Sequence, residues 1–592
     1  MTLMESAPGK TARTTSGLPI PLAANRFTAR ELDGSRILCE CLIAEGVEVI
    51  FGYPGGVLLP LYQVLGEYPE LRHILVRHEQ AGGHAADAYG RVTNKVGVCM
   101  GTSGPGATNL VTAIATAHMD SAPLVAITGQ VGRPLIGKDA FQETDITGIT
   151  LPITKHNWLV MDTKDLAETI KKAFYLAQTG RPGPVLVDIP KDVFQSKTYF
   201  AGYPTEVKLR GYSPTIFGHT RQIKQAANMI NQAQRPVILH GHGVTTSGAY
   251  QELADLAEKA DIPVISTLQG LSAFPTAHPL SLGMPGMHGG IHANHAINES
   301  DVLIAIGMRF DDRVTGNLKT FARNSKVIHI DIDPAEIGKN VPAAIPIVGD
   351  VKNVLQVLNK NIEEKKHTEW LEKIAGWKER DTKRRAAEMD RRGILPPQFI
   401  IQQMREVLGG NAVITVDVGQ HQMWVAQHFE FEKANTFISS GGLGTMGFGL
   451  PAAMGARLAV KDKNIPVWTV TGDGGFQMNL QELATCVQDD IHVKIAIFNN
   501  GVLGMIRQWQ SVFHDKRYHS TPITGPDFVK LAEAYGIKAW RVSEQSEVAQ
   551  VIKEANEWPG PALVEFLIPE AEMVMPMVPP GGSNLDAIES AE

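Results

Sequence analysis

The sequence predicts an α/β protein built of three doubly wound parallel-sheet domains, on three observations. Short apolar runs rich in Val and Ile recur along the chain, each followed by a Gly-containing turn and a stretch of helical periodicity. Strands alternating with helices build parallel sheets, because parallel neighbours need a helical crossover between them. The chain has 592 residues with 43% hydrophobic and 20% charged side chains, which suits several globular domains. Finally, the run from Val98 through Ser103 to Asn109-Leu110 can be laid over the run ending at Asn479-Leu480 with a constant offset of 370. Ser103 then falls on Asp473, as expected of two related domains of which only the second keeps an acidic ligand.

In chain order, residues 1–27 are rich in Thr, Ser, Pro and Ala and lack an apolar h-region, which argues against a secretory signal. They read as a flexible extension or as an organellar transit segment. A first domain spans 28–195. Its strand runs 47–51, 73–76, 96–100 and 124–128 lead into Gly52-Tyr53-Pro54-Gly55-Gly56, Arg77-His78-Glu79-Gln80, Gly101-Thr102-Ser103-Gly104-Pro105-Gly106 and Gly129-Gln130. Residues 196–217, with Gly202, Pro204, Gly211 and Pro214 and no periodicity, read as a linker. A central domain, 218–360, has strand runs at 236–239, 263–267, 302–306, 327–332 and 345–348. Residues 361–396 are dense in Lys, Arg and Glu and read as a solvated helical connector. A third domain covers 397–570, and the tail 571–592, with Met573, Met575 and Met577 before Pro579-Pro580-Gly581-Gly582, reads as a lid or a disordered end.

Composition narrows the function classes. A net charge of −7 and a pI near 6.3 give no reason to expect a nucleic-acid partner. The four cysteines, Cys39, Cys41, Cys99 and Cys486, form no C-x-x-C pair. They read as buried free thiols in a reducing compartment, hence a cytoplasmic protein without structural zinc. No apolar run reaches the roughly 18 residues of a membrane span.

The chemistry-bearing stretch is Gly472-Asp473-Gly474-Gly475, between a buried-strand run at 467–470 and a helical run at 477–488. A strand entering a Gly-rich turn and then a helix binds phosphate, because the helix start offers unpaired N–H groups and a positive dipole end. The next strand run, 493–498, delivers Asn499-Asn500, with Asn500 27 residues beyond Asp473. A carboxylate, an amide oxygen and a backbone carbonyl suit Mg²⁺, which completes its octahedron with phosphates and water.

Gly-Asp-Gly followed at this interval by Asn-Asn resembles the diphosphate-binding motif of thiamin-diphosphate enzymes. Several further stretches narrow the resemblance: the segment 77–91 around Glu79, residues 101–109, Phe141-Gln142-Glu143-Thr144-Asp145, Gly180-Arg181-Pro182-Gly183-Pro184-Val185, Arg309-Phe310-Asp311-Asp312-Arg313, and 441–447. In this order, covering about 28 to 580, they resemble the catalytic subunit of the acetolactate synthase (acetohydroxyacid synthase) family; the Arg309 to Arg313 run, the Phe141 to Asp145 run and Gly504-Met505-Ile506-Arg507-Gln508-Trp509 point to it most narrowly.

That resemblance implies domains for pyrimidine, FAD and diphosphate binding, in that order. It implies a homodimer or tetramer with sites at the subunit interface, Glu79 reaching the cofactor held by the partner's Asp473 and Asn500, and a separate small regulatory subunit. The reaction implied is decarboxylation of pyruvate and ligation of the hydroxyethyl unit to a second 2-oxo acid, pyruvate or 2-oxobutyrate, opening branched-chain amino-acid biosynthesis. Glu79 would assist cofactor activation from the pyrimidine side, a role favoured by a dry site that raises a carboxyl's pKa. With it, Gln142 and Gly56 would stand near the reacting centre, Gln142 offering an amide N–H to a developing oxyanion, and Lys191 with Arg313 would meet the carboxylate of the incoming acid or bind at the channel mouth. Thiamin diphosphate would meet Gln420, His421, Met446, Gly474, Gly475, Met478 and Asn500; Mg²⁺ would meet Asp473, Asn500 and the carbonyl of Val502. Phe141, Met505 and Trp509 would line the substrate channel. FAD would meet Arg181, Gly241, Gly243, His288, Gly289, Arg309, Asp311, Arg313, Asp331 and Asp350. Val57 departs from the small Ala usual in the family, and its methyls would stand beside the oxyanion region. A pyruvate oxidase-like flavoenzyme on the same scaffold is the competing reading.

Overall fold

The computed structural model describes residues 29–389, 391, 393–462 and 464–590; the expected N-terminal extension lies outside them. The first domain contributes β1 (Arg30–Asp33), β2 (Val49–Gly52), β3 (Arg72–Leu75), β4 (Gly97–Gly101), β5 (Leu124–Gln130), β6 (His156–Leu159), β7 (Pro184–Pro190) and β8 (Lys197–Phe200). The central domain contributes β9 (Pro236–His240), β10 (Val264–Ser266), β11 (Val302–Ile306), β12 (Lys326–Asp331) and β13 (Ile345–Val348). The last contributes β14 (Val413–Val416), β15 (Phe437–Ser439), β16 (Val467–Gly472), β17 (Lys494–Asn499), β18 (Lys538–Val542) and β19 (Ala562–Leu567).

Every ladder in the three main sheets is parallel. The six-stranded sheets run β3-β2-β4-β5-β7-β6 and β15-β14-β16-β17-β19-β18, the same order of second, first, third, fourth, sixth and fifth strand within each sheet. The 370-residue offset is therefore a relation between folds: β4 and β16, which precede Ser103 and Asp473, are both third strands. The central sheet runs β10-β9-β11-β12-β13. Its order reverses between β9 and β11, where doubly wound sheets open a crevice at their carboxyl ends. The inner strands are buried on both faces, as the continuous apolar runs require.

Six helices position the site. They are α1 (Glu79–Thr93), α2 (Val111–Asp120), α3 (Thr368–Met389), α4 (Gln420–His428), α5 (Gly449–Ala459) and α6 (Asp473–Phe476). α1 follows the second strand of its six-stranded sheet and α5 the second strand of the other, and they pack together face to face. Small residues make the approach close, and the core beneath joins both domains through Ala85, Ala86, Ala453 and Met454.

Four expectations need correction. Residues 197–200, placed in a linker, form β8, which pairs antiparallel with β1; the alternation of exposed Tyr199 and buried Phe200 ties this strand to the first domain's core. The helix expected over 477–488 is broken: α6 ends at Phe476, a 3₁₀ turn holds Leu480–Glu482, and a helix resumes at Leu483–Gln488. The break falls at Asn479, whose amide donates to the Gly447 carbonyl at 2.7 Å. The charged connector contains α3, yet this helix is not simply solvated, since Trp370 and Ile374 enter the central core. The tail is packed: Val574, Met575, Met577 and Val578 are buried, and the Val578 N–H donates to the Met287 carbonyl at 2.8 Å.

Candidate active site

β16 and β17 are neighbours in register, Gly472 opposite Phe498, so their carboxyl ends bring Asp473 and Asn500 to one crevice. Asp473 is 3% exposed and burial pushes its carboxyl up to about 6, while the backbone N–H groups of Gly474, Asn500 and Gly501 hold it in the opposite direction. Asn500 Oδ1 accepts from the Val502 N–H at 3.2 Å, which folds the 500–502 turn over the Asp473 end. Among the described residues no cluster of three or more His, Cys, Asp or Glu side chains could hold a metal. A site of one carboxylate, one amide and one carbonyl has the composition a phosphate-bound Mg²⁺ needs.

The walls of this crevice are α4 and the 441–447 loop. His421 stands one residue inside α4 with its ring beside Gly472, where a Cβ would lie 3.1 Å from Nδ1. Burial pulls its imidazole down to about 3, and its buried Nε2 has no partner. An orphaned neutral ring nitrogen beside a Gly-Asp-Gly turn fits a diphosphate ligand. Gln420 is engaged otherwise, its amide donating to Gln508 Oε1 at 3.0 Å and to the Glu572 carbonyl at 2.7 Å. Met446 reaches Gly474, where a Cβ would come within 3.6 Å of the methionine methyl. Gly475 is tighter, since a Cβ would meet Asp417 Oδ1 at 2.5 Å. That Asp417 carboxylate in turn fixes the loop, accepting from the N–H groups of Gly447 at 3.0 Å and Gly449 at 2.9 Å.

Glu79 opens α1, capped by His78. It is 8% exposed and accepts from Asn109 Nδ2 at 2.9 Å, with Gly106 leaving room against its carboxylate. Among the described residues no hydrogen bond or ion pair joins Glu79 to Asp473, Asn500, Gln420 or His421 of the same chain. Around Glu79, Gly55 lies where a Cβ would meet the Thr102 side chain at 2.4 Å, whereas Gly56 faces open space. Gln142 takes a φ of +60° and lies against Gly104. Val57 lies against Gly129, where a Cβ would meet its Cγ2 at 2.5 Å, and packs half-buried on the first domain's core. Phe141 is 88% and Met478 53% exposed in the single chain. Lys191 begins the Lys191–Gln195 helix directly after β7 and is half-buried.

At the central sheet's switch point, Gly241 and Gly243 follow β9 and pack on Gly307, which follows β11; a Cβ on Gly243 would lie 2.5 Å from the Gly307 Cα. Asp331 closes β12, and burial lifts its carboxyl to about 7. His288 is buried with Nδ1 unpartnered, and Arg181 crosses from the first domain to Asp333 at 3.2 Å and Glu336 at 2.9 Å. Asp311 and Asp350 already cap helices, at the N–H groups of Val314 and Asn353. Arg313 stacks over Trp509, 6.0 Å from its ring centroid, joining the run after β11 to the expected channel. Two residues that sequence reasoning passed over belong here: Asn109, whose position 370 before Asn479 was the available signal, and Glu482, which carried none.

A Gly-Asp-Gly turn meeting Asn500, with a separate buried glutamate in a second domain of the same topology, defines a thiamin-diphosphate-dependent enzyme. Family models agree across all three domains: the thiamine pyrophosphate enzyme N-terminal TPP binding domain at 32–149, the central domain at 223–358, and the C-terminal TPP binding domain at 417–566. The chain is 49% identical over 582 residues to a probable acetolactate synthase large subunit of Methanococcus aeolicus, covering 95% of this chain and 96% of the relative. It is 51% identical over 570 residues to one of Methanocaldococcus jannaschii, covering 94% and 95%. To the acetolactate synthase large subunit of Corynebacterium glutamicum it is 48% identical over 566 residues, covering 94% and 90%. The chain belongs to the acetolactate synthase large-subunit family.

Proposed function

We propose that the chain condenses two 2-oxo acids with loss of CO₂: two pyruvates to 2-acetolactate, or pyruvate and 2-oxobutyrate to 2-aceto-2-hydroxybutyrate, the first common step toward branched-chain amino acids. The observation that carries this is the paired construction of Asp473 with Asn500 at the ends of β16 and β17, and of Glu79 with Asn109 at the start of α1, in a chain of this family. Bound thiamin diphosphate supplies the electron sink for decarboxylation. The chain's own residues bind and orient. Asp473, Asn500 and the Val502 carbonyl would hold Mg²⁺, with His421 Nε2 and the α6 N–H groups available to the diphosphate. Glu79, oriented by Asn109, holds or moves a proton at the pyrimidine nitrogen, and Gln142 offers an N–H to a developing oxyanion.

By family resemblance Glu79 of one copy reaches the cofactor held by Asp473 and Asn500 of another, which makes the homodimer the minimal active unit; a tetramer repeats it. A separate small regulatory subunit accompanies the large subunit. FAD occupies the switch-point crevice of the central domain, where the buried orphan at His288 Nδ1 and the Asp331 carboxylate fit a polar cofactor. Four buried free thiols suit the cytoplasm. Purified protein given thiamin diphosphate, Mg²⁺, FAD and pyruvate should form acetolactate, measured as acetoin after acid treatment, with little oxygen uptake. Acetate or acetyl phosphate formed with matching oxygen consumption would replace this reading with an oxidase.

A further inference from the structure

Glu482 is a carboxylate with no exposed surface, supplied by the third domain to the first. Its Oε1 accepts from the backbone N–H of Arg77 at 2.9 Å and of His78 at 3.0 Å, and its Oε2 from the Thr485 hydroxyl at 2.8 Å. Those two amides belong to the corner between β3 and α1, immediately before Glu79. Among the described residues no acceptor in their own domain meets them, and a buried N–H left without an acceptor costs about 1–3 kcal/mol. Thr485 is itself anchored, its hydroxyl lying 3.2 Å from the Leu75 carbonyl at the end of β3. Burial lifts the Glu482 carboxyl to about 7 against the pull of these donors. Cheaper ways to fill the space exist, so the acceptor is what the position requires.

We infer that Glu482 is a positioning residue for Glu79: by clamping the amides of Arg77 and His78 it fixes where α1 begins and so where the Glu79 carboxylate points. The clamp and the Asp473 turn are nine residues apart on one segment. The segment that carries one site's metal carboxylate thus also sets the angle of the glutamate that serves the neighbouring site. This rests on the proposed function for the role of Glu79, though the clamp itself does not. A displacement of about 1 Å at a reacting group can cost on the order of a hundredfold in rate.

The test compares Glu482→Leu, which removes both acceptors, with Glu482→Gln, whose carbonyl oxygen can keep Arg77 and His78 while its amide meets Thr485. Glu482→Asp, which withdraws the carboxylate by one methylene, serves if the leucine variant does not fold. In full-length protein without cofactor, amide hydrogen exchange of the segment 74–80 should quicken at least about tenfold in the Leu or Asp variant and stay near wild type in Gln. With thiamin diphosphate and Mg²⁺ bound, exchange of the cofactor's C2 proton for deuterium should fall about tenfold or more in Leu or Asp and recover in Gln. Adding the Glu482 change to Glu79→Gln should cause no further fall. Unchanged amide exchange, or an equal fall in the Glu79→Gln background, would overturn the inference. A wild-type protein that fails to exchange the C2 proton at all would instead overturn the proposed function, leaving the amide measurement to decide the clamp.

Discussion

Gly455 lies against Ala85 at the crossing of α5 and α1, so close that a Cβ on the glycine would come 1.9 Å from the Ala85 carbonyl oxygen. The two residues are 370 positions apart, as are the first residues of the helices, Glu79 and Gly449. The crossing therefore sits where the two related domains meet through equivalent helices, and it sets the distance between the start of α1 and the 441–447 loop. Gly455→Ala has no conformational objection, since Gly455 is helical, but it forces the helices apart. It should destabilise the protein by about 1–3 kcal/mol, read as a lowered urea midpoint with an unchanged slope, and lower activity beyond what the stability loss explains. An unchanged midpoint would show that the crossing relaxes freely.

Glu79 and Asp473 supply a second prediction, since the proposed site draws one from each of two copies. Glu79→Gln and Asp473→Asn should each abolish most acetolactate formation, by about 10²-fold or more. Mixed, dissociated and reassociated, the two inactive proteins should regain about a quarter of wild-type activity, because in a two-fold assembly half the dimers pair the variants and each of those carries one intact site. Recovery absent under conditions where subunits demonstrably exchange would place both residues in one chain's site.

Asp188, buried beneath the Gln142 loop's anchor at Gln130, makes pH the variable. Burial lifts its carboxyl to about 7 against hydrogen bonds from Thr128 at 2.8 Å and Gln130 at 3.0 Å. A carboxyl with a folded value above its unfolded one contributes stability that is full below about pH 4 and lost as pH rises through about 7. Asp188→Asn removes that titration. Relative to wild type, the variant should gain stability as pH goes from 4 to 7, by up to about 4 kcal/mol, and hold it above. Parallel stability profiles for the two proteins would contradict the lifted value.

What the sequence made legible, and what it hid, follows from the kind of signal each residue leaves. The central strands of all three sheets are runs such as 302–306 and 124–128, buried on both faces, so their apolar continuity announces them. β8 escapes because its alternation of polar and aromatic residues is short and beside Gly and Pro. The helix over 477–488 looked continuous because periodicity cannot register that Asn479 spends its side chain on the Gly447 carbonyl. In the site, Asp473 and Asn500 are readable because a turn and a strand deliver them at fixed spacing. Glu482 is unreadable: a glutamate within a helical run is ordinarily a solvated side chain, and only the tertiary fold shows that Arg77 and His78 lie against it. The Met-rich tail carried the opposite risk, since what holds it includes contacts far away in sequence, such as the Val578 N–H on the Met287 carbonyl.

Arg91 joins all three domains. From α1 it donates to the Ser439 carbonyl at 2.9 Å, to Gln269 of the central domain at 3.3 Å, and to Asp87 and Asp120, each at 3.1 Å. Asp120, at the end of α2, passes the connection on by accepting from the N–H groups of Gly441 at 3.2 Å and Gly442 at 2.6 Å, while Thr116 meets Thr445 at 2.7 Å. These contacts hold the loop that carries Met446 toward Gly474. Arg91→Met keeps the aliphatic volume and removes the charge, leaving Asp87 and Asp120 buried without their cation. Breaking a buried pair in this way costs about 3–5 kcal/mol. The loop should also loosen, so thiamin diphosphate affinity, measured by tryptophan fluorescence titration, should fall even at temperatures where the variant is fully folded. Unchanged affinity in a destabilised protein would confine Arg91 to holding domains together; lost affinity makes it the link through which domain packing reaches the cofactor crevice.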